Sequence, residues 1–203
     1  SGDGKNIYVS ASSGNGVVYF DRDAATGVLT NPRNVVDSTH MQSTKALAVS
    51  PSGNHVYVTA YLSNAVVSFN RNSATGELTN QVNYVSTNLD DCHGIAISPD
   101  GRNIYIASNG QLVHYDRNTV SGVLTNQVNL IQSGCAGTNR GVAVSPNGAN
   151  VYFVCQSTDK LFSFDRNSAT GALSNRFMVA SDSTNLDQTR DVIVSPDSLN
   201  VYV

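Results

Sequence analysis

Apolar and polar positions along the chain follow a period of two, in runs too short for helices. Continuous apolar triplets such as Val56-Tyr57-Val58, Ile104-Tyr105-Ile106 and Val151-Tyr152-Phe153 read as strands buried on both faces. Runs such as Val66-Val67-Ser68-Phe69 alternate, as a half-buried strand does. Small apolar runs, Gly94-Ile95-Ala96-Ile97 and Gly141-Val142-Ala143-Val144, give a third kind of strand. A fourth begins with Leu29, Leu78, Leu124 or Leu173. Nowhere do apolar residues recur at i, i+3, i+4, i+7 over three turns, so the pattern predicts an all-β protein.

The order of these strands repeats. Small-apolar strand A leads through Ser-Pro-x-Gly into strand B, strand C follows, and an Asp/Asn-Arg…Thr/Ser-Gly turn leads to strand D. Ser50-Pro51-Ser52-Gly53 recurs at Ser98 and Ser145, and at Ser195 with Ser198 in place of the Gly, while Ser1-Gly2-Asp3-Gly4 is a fifth copy without the proline. In that turn Pro presets φ and Gly accepts the left-handed conformation. Repeat starts at 1, 50, 98, 145 and 195 give spacings of 49, 48, 47 and 50 residues. That is the length of a four-stranded propeller blade, whereas a solenoid of parallel coils uses shorter periods.

Residues 1–203 are therefore read as one portion of an antiparallel β-propeller, its last repeat incomplete. The count is four A, five B, four C and four D strands, which cannot close a ring. The expectation is a longer polypeptide, or closure with another chain through open propeller edges; seven such blades need roughly 340 residues. The first residue is Ser1, which reads as a processed or excerpted chain.

Composition narrows the partners. Only 13% of residues are charged, against about 25% in ordinary globular domains. Asn, Ser, Thr and Gly make the surface polar instead. A net charge of −3 with scattered Lys and Arg excludes the basic stripe that nucleic acid needs, and no run is long enough for a membrane span.

Residues repeated in every blade serve folding: Arg22, Arg71, Arg117 and Arg166, with the Gly of each turn. One column differs. Immediately before strand A stand Lys45, His93, Arg140 and Arg190, all basic but not identical. In a propeller, strand A lies nearest the axis, so the column would set four donors around one side of the channel mouth. Such an array suits an anion, with Arg able to grip two oxygens at once; a solvated polar rim is the plainer reading. Asp90, Asp91 and Asp191 lie close by as acid–base or cation-binding groups. His40 in a D–A loop, His55 in an A–B turn and His114 on strand C read as surface or packing histidines. No zinc spacing, nucleophile elbow or phosphate-cradling loop occurs, and no cofactor is expected. Cys155, in the column of Ala11, Ala60 and Ser108, reads as a small buried filler. Cys92 and Cys135, both in D–A loops of adjacent blades, are the candidate disulfide pair; a bridge would favour an oxidising setting.

Tyr57-Val58-Thr59-Ala60 after Ser-Pro-x-Gly, followed by Phe69-Asn70-Arg71…Ala74-Thr75-Gly76-Glu77-Leu78-Thr79, resembles the YVTN-type, lactonase-like seven-bladed propeller family. The resemblance covers the whole chain, and the Asp-Arg-Asn-x-Ala-Thr-Gly-x-Leu-Thr turn is most similar to secreted members. That family includes phosphogluconolactonase-like enzymes, a muconate-lactonising relative and surface propellers. Its enzymes imply His, Arg and an acidic residue at the channel mouth. Here the single Glu, Glu77, lies in a C–D turn on the other edge. The expectation is a non-catalytic, extracellular or cell-surface scaffold or recognition module for an anionic small molecule, glycan or protein. The alternatives are a lactonase-like hydrolase, cytoplasmic in the enzymatic branch, in which Arg140 or Arg190 holds the anion and His93 moves protons, and a structural subunit of an extracellular assembly.

Overall fold

The computed structural model describes residues 1–131 and 134–203. The described residues form five antiparallel sheets, each a blade or part of one. Blade I holds β1 (Asn6–Ala11), β2 (Gly16–Arg22) and β3 (Leu29–Val36). Blade II holds β4 (Thr44–Val49), β5 (His55–Ala60), β6 (Ala65–Arg71) and β7 (Leu78–Val85). Blade III holds β8 (Ile95–Ile97), β9 (Asn103–Ser108), β10 (Gln111–Arg117) and β11 (Leu124–Ile131). Blade IV holds β12 (Val142–Val144), β13 (Asn150–Cys155), β14 (Lys160–Arg166) and β15 (Leu173–Ser181). Blade V is the hairpin of β16 (Ile193–Val194) and β17 (Val201–Tyr202). The inventory matches the expected strands, including the fifth B strand, and fits a partial propeller. No helix among the described residues is long and apolar enough to cross a membrane.

The core lies between blades, and the period of two builds it. Every residue of β5 is buried because both faces are covered. Val56 and Val58 pack with Tyr8, Val17 and Tyr19 of blade I, while Tyr57 packs with Ile104, Ile106 and Val113 of blade III. In β9 the same alternation sends Ile104 back to blade II and Tyr105 forward to Val151 and Phe153 of blade IV. Each such apolar side chain contributes roughly 1.5–3 kcal/mol of burial.

Repeated polar residues latch these layers. Arg71 Nε donates to the Tyr8 hydroxyl at 2.9 Å, and that hydroxyl donates to the Gly76 carbonyl at 2.7 Å. The same Arg caps Gly53 O of its own blade and reaches Asp3 and Asn6 of blade I. Arg166 repeats the pattern with Tyr105, Gly148, Asp100 and Asn103. At the junction of blades II and III, Arg117 meets Tyr57 and Gly101, but His55 replaces the Asn and Ser52 the Asp. His55 is therefore the buried first residue of β5 and part of a latch rather than of a turn.

The C–D turn is legible atom by atom. Asn72 Oδ1 accepts from Ala74 N and Thr75 N, an Asx turn, and Gly76 closes it at φ 73°. Two residues into each D strand, Asn31, Asn80, Asn126 and Asn175 take φ near 50° (47–51°) where the C–D register skips a residue. Asn tolerates that left-handed bulge position, and in three blades its amide bonds the Asp of strand C at 2.8 Å.

Candidate functional site

The A–B and C–D turns lie on one face of the arc; the B–C turns and D–A loops lie on the other. Glu77 is exposed in a C–D turn and belongs to the first face. On that face a hollow of about 550 Å³ is lined by Arg102, Asp116, Arg117, Thr119 and Thr170, mostly turn residues that every blade repeats in kind.

Lys45, His93, Arg140 and Arg190 come together on the second face, where they line one cleft of about 250 Å³ with Ala46, Gly94 and Asp191. Their backbones converge because successive A strands approach closely. A Cβ on Gly94 would sit 2.0 Å from the Arg140 carbonyl oxygen, and one on Gly141 2.9 Å from Asp191 Cα, so only glycine permits the approach. Lys45 and His93 are also tied by their carbonyls to the preceding blade. Ser10 Oγ donates to Lys45 O at 2.7 Å and Thr59 Oγ1 to His93 O at 2.7 Å. The residues before Lys45, His93 and Arg140 reach back in the same way: Thr44 donates to Gly16 O, Cys92 to Ala65 O and Asn139 to Ser108 O.

That role corrects the expected cysteine chemistry. Cys92 is a buried free thiol, and burial pushes its pKa up to about 12. The disulfide joins Cys135 to Cys155, with Cα atoms 5.4 Å apart, so Cys155 is not merely a filler. Position 155 ends strand B beside the D–A loop of its own blade, which is where a loop cysteine can reach. Cys92 instead faces the start of β6 in the preceding blade. In blade III the equivalent Ser108 secures the loop by a hydrogen bond to Asn88 O at 3.0 Å.

His93 is buried, with Nδ1 3.0 Å from the Asp91 carbonyl and 3.1 Å from Asp91 Oδ1. A carbonyl only accepts, so Nδ1 carries the proton and Nε2 is the basic nitrogen of the neutral ring. Burial lowers the pKa of His93, and the charges of Arg140 and Lys45 add to the lowering against the pull of Asp91. Asp91 is fixed in turn by Thr138 Oγ1 at 2.9 Å. Asp90 bonds Asn109 outside the cleft, whereas Asp191 lines it, with Oδ1 accepting from Val192 N. Arg190 is exposed. Among the described residues no cluster of three or more His, Cys, Asp or Glu could hold a metal.

Two residues that the sequence reading passed over support this array. The Tyr61 ring lies under Lys45 Nζ at 5.1 Å and meets His93 edge-on at 5.3 Å. Gln156 accepts from Arg140 Nε. Both follow strand B, in the column Ser12, Tyr61, Asn109, Gln156. That column varies between blades as the basic column does, and the same comparison would have found it. Of the other histidines, His114 stacks on Tyr105 at 5.2 Å and His40 bonds Asp37, so both are packing or surface groups.

A family model described as a lactonase, seven-bladed β-propeller, matches residues 1–92 and 90–185. A Bacteroides uniformis structure, provisionally named a 6-phosphogluconolactonase, superposes with a TM-score of 0.75 at 20% identity, covering 88% of this chain and 53% of that one. Hydrazine synthase of Kuenenia stuttgartiensis gives 0.71 at 23% identity, with 99% and 52% covered. The periplasmic gluconolactonase of Pseudomonas aeruginosa gives 0.64 at 20%, with 89% and 55% covered. The chain thus spans about half the length of these relatives, and at such identities the likeness is one of fold. No protein of curated function matches the sequence. By the reach of the family model over both of its matched segments, the chain belongs to the lactonase family of seven-bladed β-propellers.

Proposed function

We propose that the D–A face is a lactonase-like site that binds an anionic sugar lactone and opens its ring with water. The observation that carries this reading is the convergence of Lys45, Arg140, Arg190 and a neutral, oriented His93 on one cleft. His93 Nε2 takes a proton from water as its oxygen adds to the lactone carbonyl carbon. The cations stabilise the tetrahedral oxyanion. The ring C–O bond then breaks, and the proton on Nε2 passes to the departing alkoxide, leaving a hydroxy acid that ionises to its carboxylate. The names of two structural relatives, a 6-phosphogluconolactonase and a gluconolactonase, support this substrate class. The Cys135–Cys155 bridge supports an extracellular or cell-surface setting, because the cytosol keeps thiols reduced.

The test is hydrolysis of 6-phosphogluconolactone and of neutral gluconolactone by the chain and its variants. His93→Gln is expected to lower kcat on both by roughly 10²-fold or more. Arg140→Ala should raise KM for the phosphorylated lactone more than for the neutral one. Binding of the product 6-phosphogluconate with turnover of neither lactone would overturn hydrolysis and make the site a recognition module.

A further inference from the structure

Arg140 is held differently from the cleft's other basic residues. Its Nε donates to Oε1 of Gln156, which is buried, and Gln156 Nε2 donates to Gln188 Oε1 at 2.9 Å. A guanidinium can only donate, so the amide oxygen must face Arg140 and the amide nitrogen must face Gln188. The amide orientation therefore has one solution. With Nε engaged, the side-on edge of the guanidinium is occupied. Nη1 and Nη2 make no hydrogen bond among the described residues, and Arg140 lines the cleft. That end-on pair of N–H groups matches two oxygens of a carboxylate or a phosphate. Lys45 needs no such support, since an ammonium is a point charge without a preferred edge. It rests instead over the Tyr61 ring.

We infer that Gln156 is a positioning residue that turns Arg140 end-on to the cleft, so that the site grips a two-oxygen edge of carboxylate or phosphate rather than any diffuse anion. The inference rests on the anion site proposed above and goes further by assigning its geometry to a residue that does not touch the ligand.

Calorimetric titration of the whole chain with inorganic phosphate and with D-gluconate tests it and separates the two oxyanions. Gln156→Leu should weaken the better-bound probe roughly tenfold, the scale of one hydrogen bond to a charged group. In an Arg140→Lys background the same change should cost nothing more, because a lysine has no edge to orient. Gln156→Met, near in volume and also without an acceptor, serves if the Leu variant fails to fold. If Arg140→Ala weakens binding while Gln156→Leu does not, the inference is wrong and the anion site stands. An equal loss in the Arg140→Lys background would make Gln156 a merely structural residue and also overturn it. If Arg140→Ala leaves both affinities unchanged, the anion site itself falls, and the inference with it.

Discussion

The Tyr105 hydroxyl makes two bonds at one buried point, giving its proton to Gly171 O and accepting from Arg166 Nε. Tyr105→Phe keeps the ring packing but strips a partner from both groups. The expected cost is roughly 1–3 kcal/mol, read from urea unfolding; an unchanged midpoint would mean that the latch contributes nothing. The cysteines offer an equally local test. Cys92 is sealed from solvent, and burial holds its thiol in the protonated form. Iodoacetamide should therefore label no cysteine in the native chain, one after denaturation and three after denaturation with reduction, counted by intact mass. Three labels in the second state would contradict the Cys135–Cys155 bridge.

Among the elements, the junction of β5 with blade III is the one built on a histidine. His55 Nδ1 lies 2.8 Å from Arg117 Nη2 and can only be the acceptor there. Ser121 O and Gly122 close its other side. Burial, then the Arg117 charge, lowers its pKa from 6.5. His93 and His114 are lowered as well, chiefly by burial. The unfolded chain thus binds more protons than the folded one below pH 6.5, so stability rises with pH through that window and is lost as pH falls. Junctions I/II and III/IV present Asp3 and Asp100 to their arginines, whereas Ser52 presents none to Arg117. Thermal melts between about pH 7.5 and about pH 5.5 should show a falling Tm. His55→Asn, the residue found at positions 6 and 103, should remove part of that slope; an identical slope would clear His55 of the effect.

At the scale of all the described blades, apolar side chains stand exposed along the last two. Phe177, Met178 and Val179 on β15 and Ile193 and Tyr202 of blade V are all exposed, with Phe177 at 65%. Exposed apolar patches beside sheet edges associate. Sedimentation velocity on the 203-residue chain should show concentration-dependent self-association, reduced by Phe177→Lys; a monomer at every concentration would refute this. Binding at the cationic cleft should weaken as salt rises, since most of its charges are solvent-accessible.

The all-β class, the blade period, the strand inventory and the structural role of Arg71, Arg117 and Arg166 were legible from residue pattern, because turns and period-two burial are local properties written into every repeat. The basic column was legible too, as a column. Its meeting in one cleft was decided by tertiary structure, through the close approach of strand A backbones at Gly94 and Gly141. The disulfide partner of Cys135, the donor role of Cys92, the tautomer of His93 and the hold of Gln156 on Arg140 were likewise decided there. Each depends on which side chain faces which carbonyl, ring or amide across a loop or a blade boundary, and a one-dimensional period carries no record of that distance.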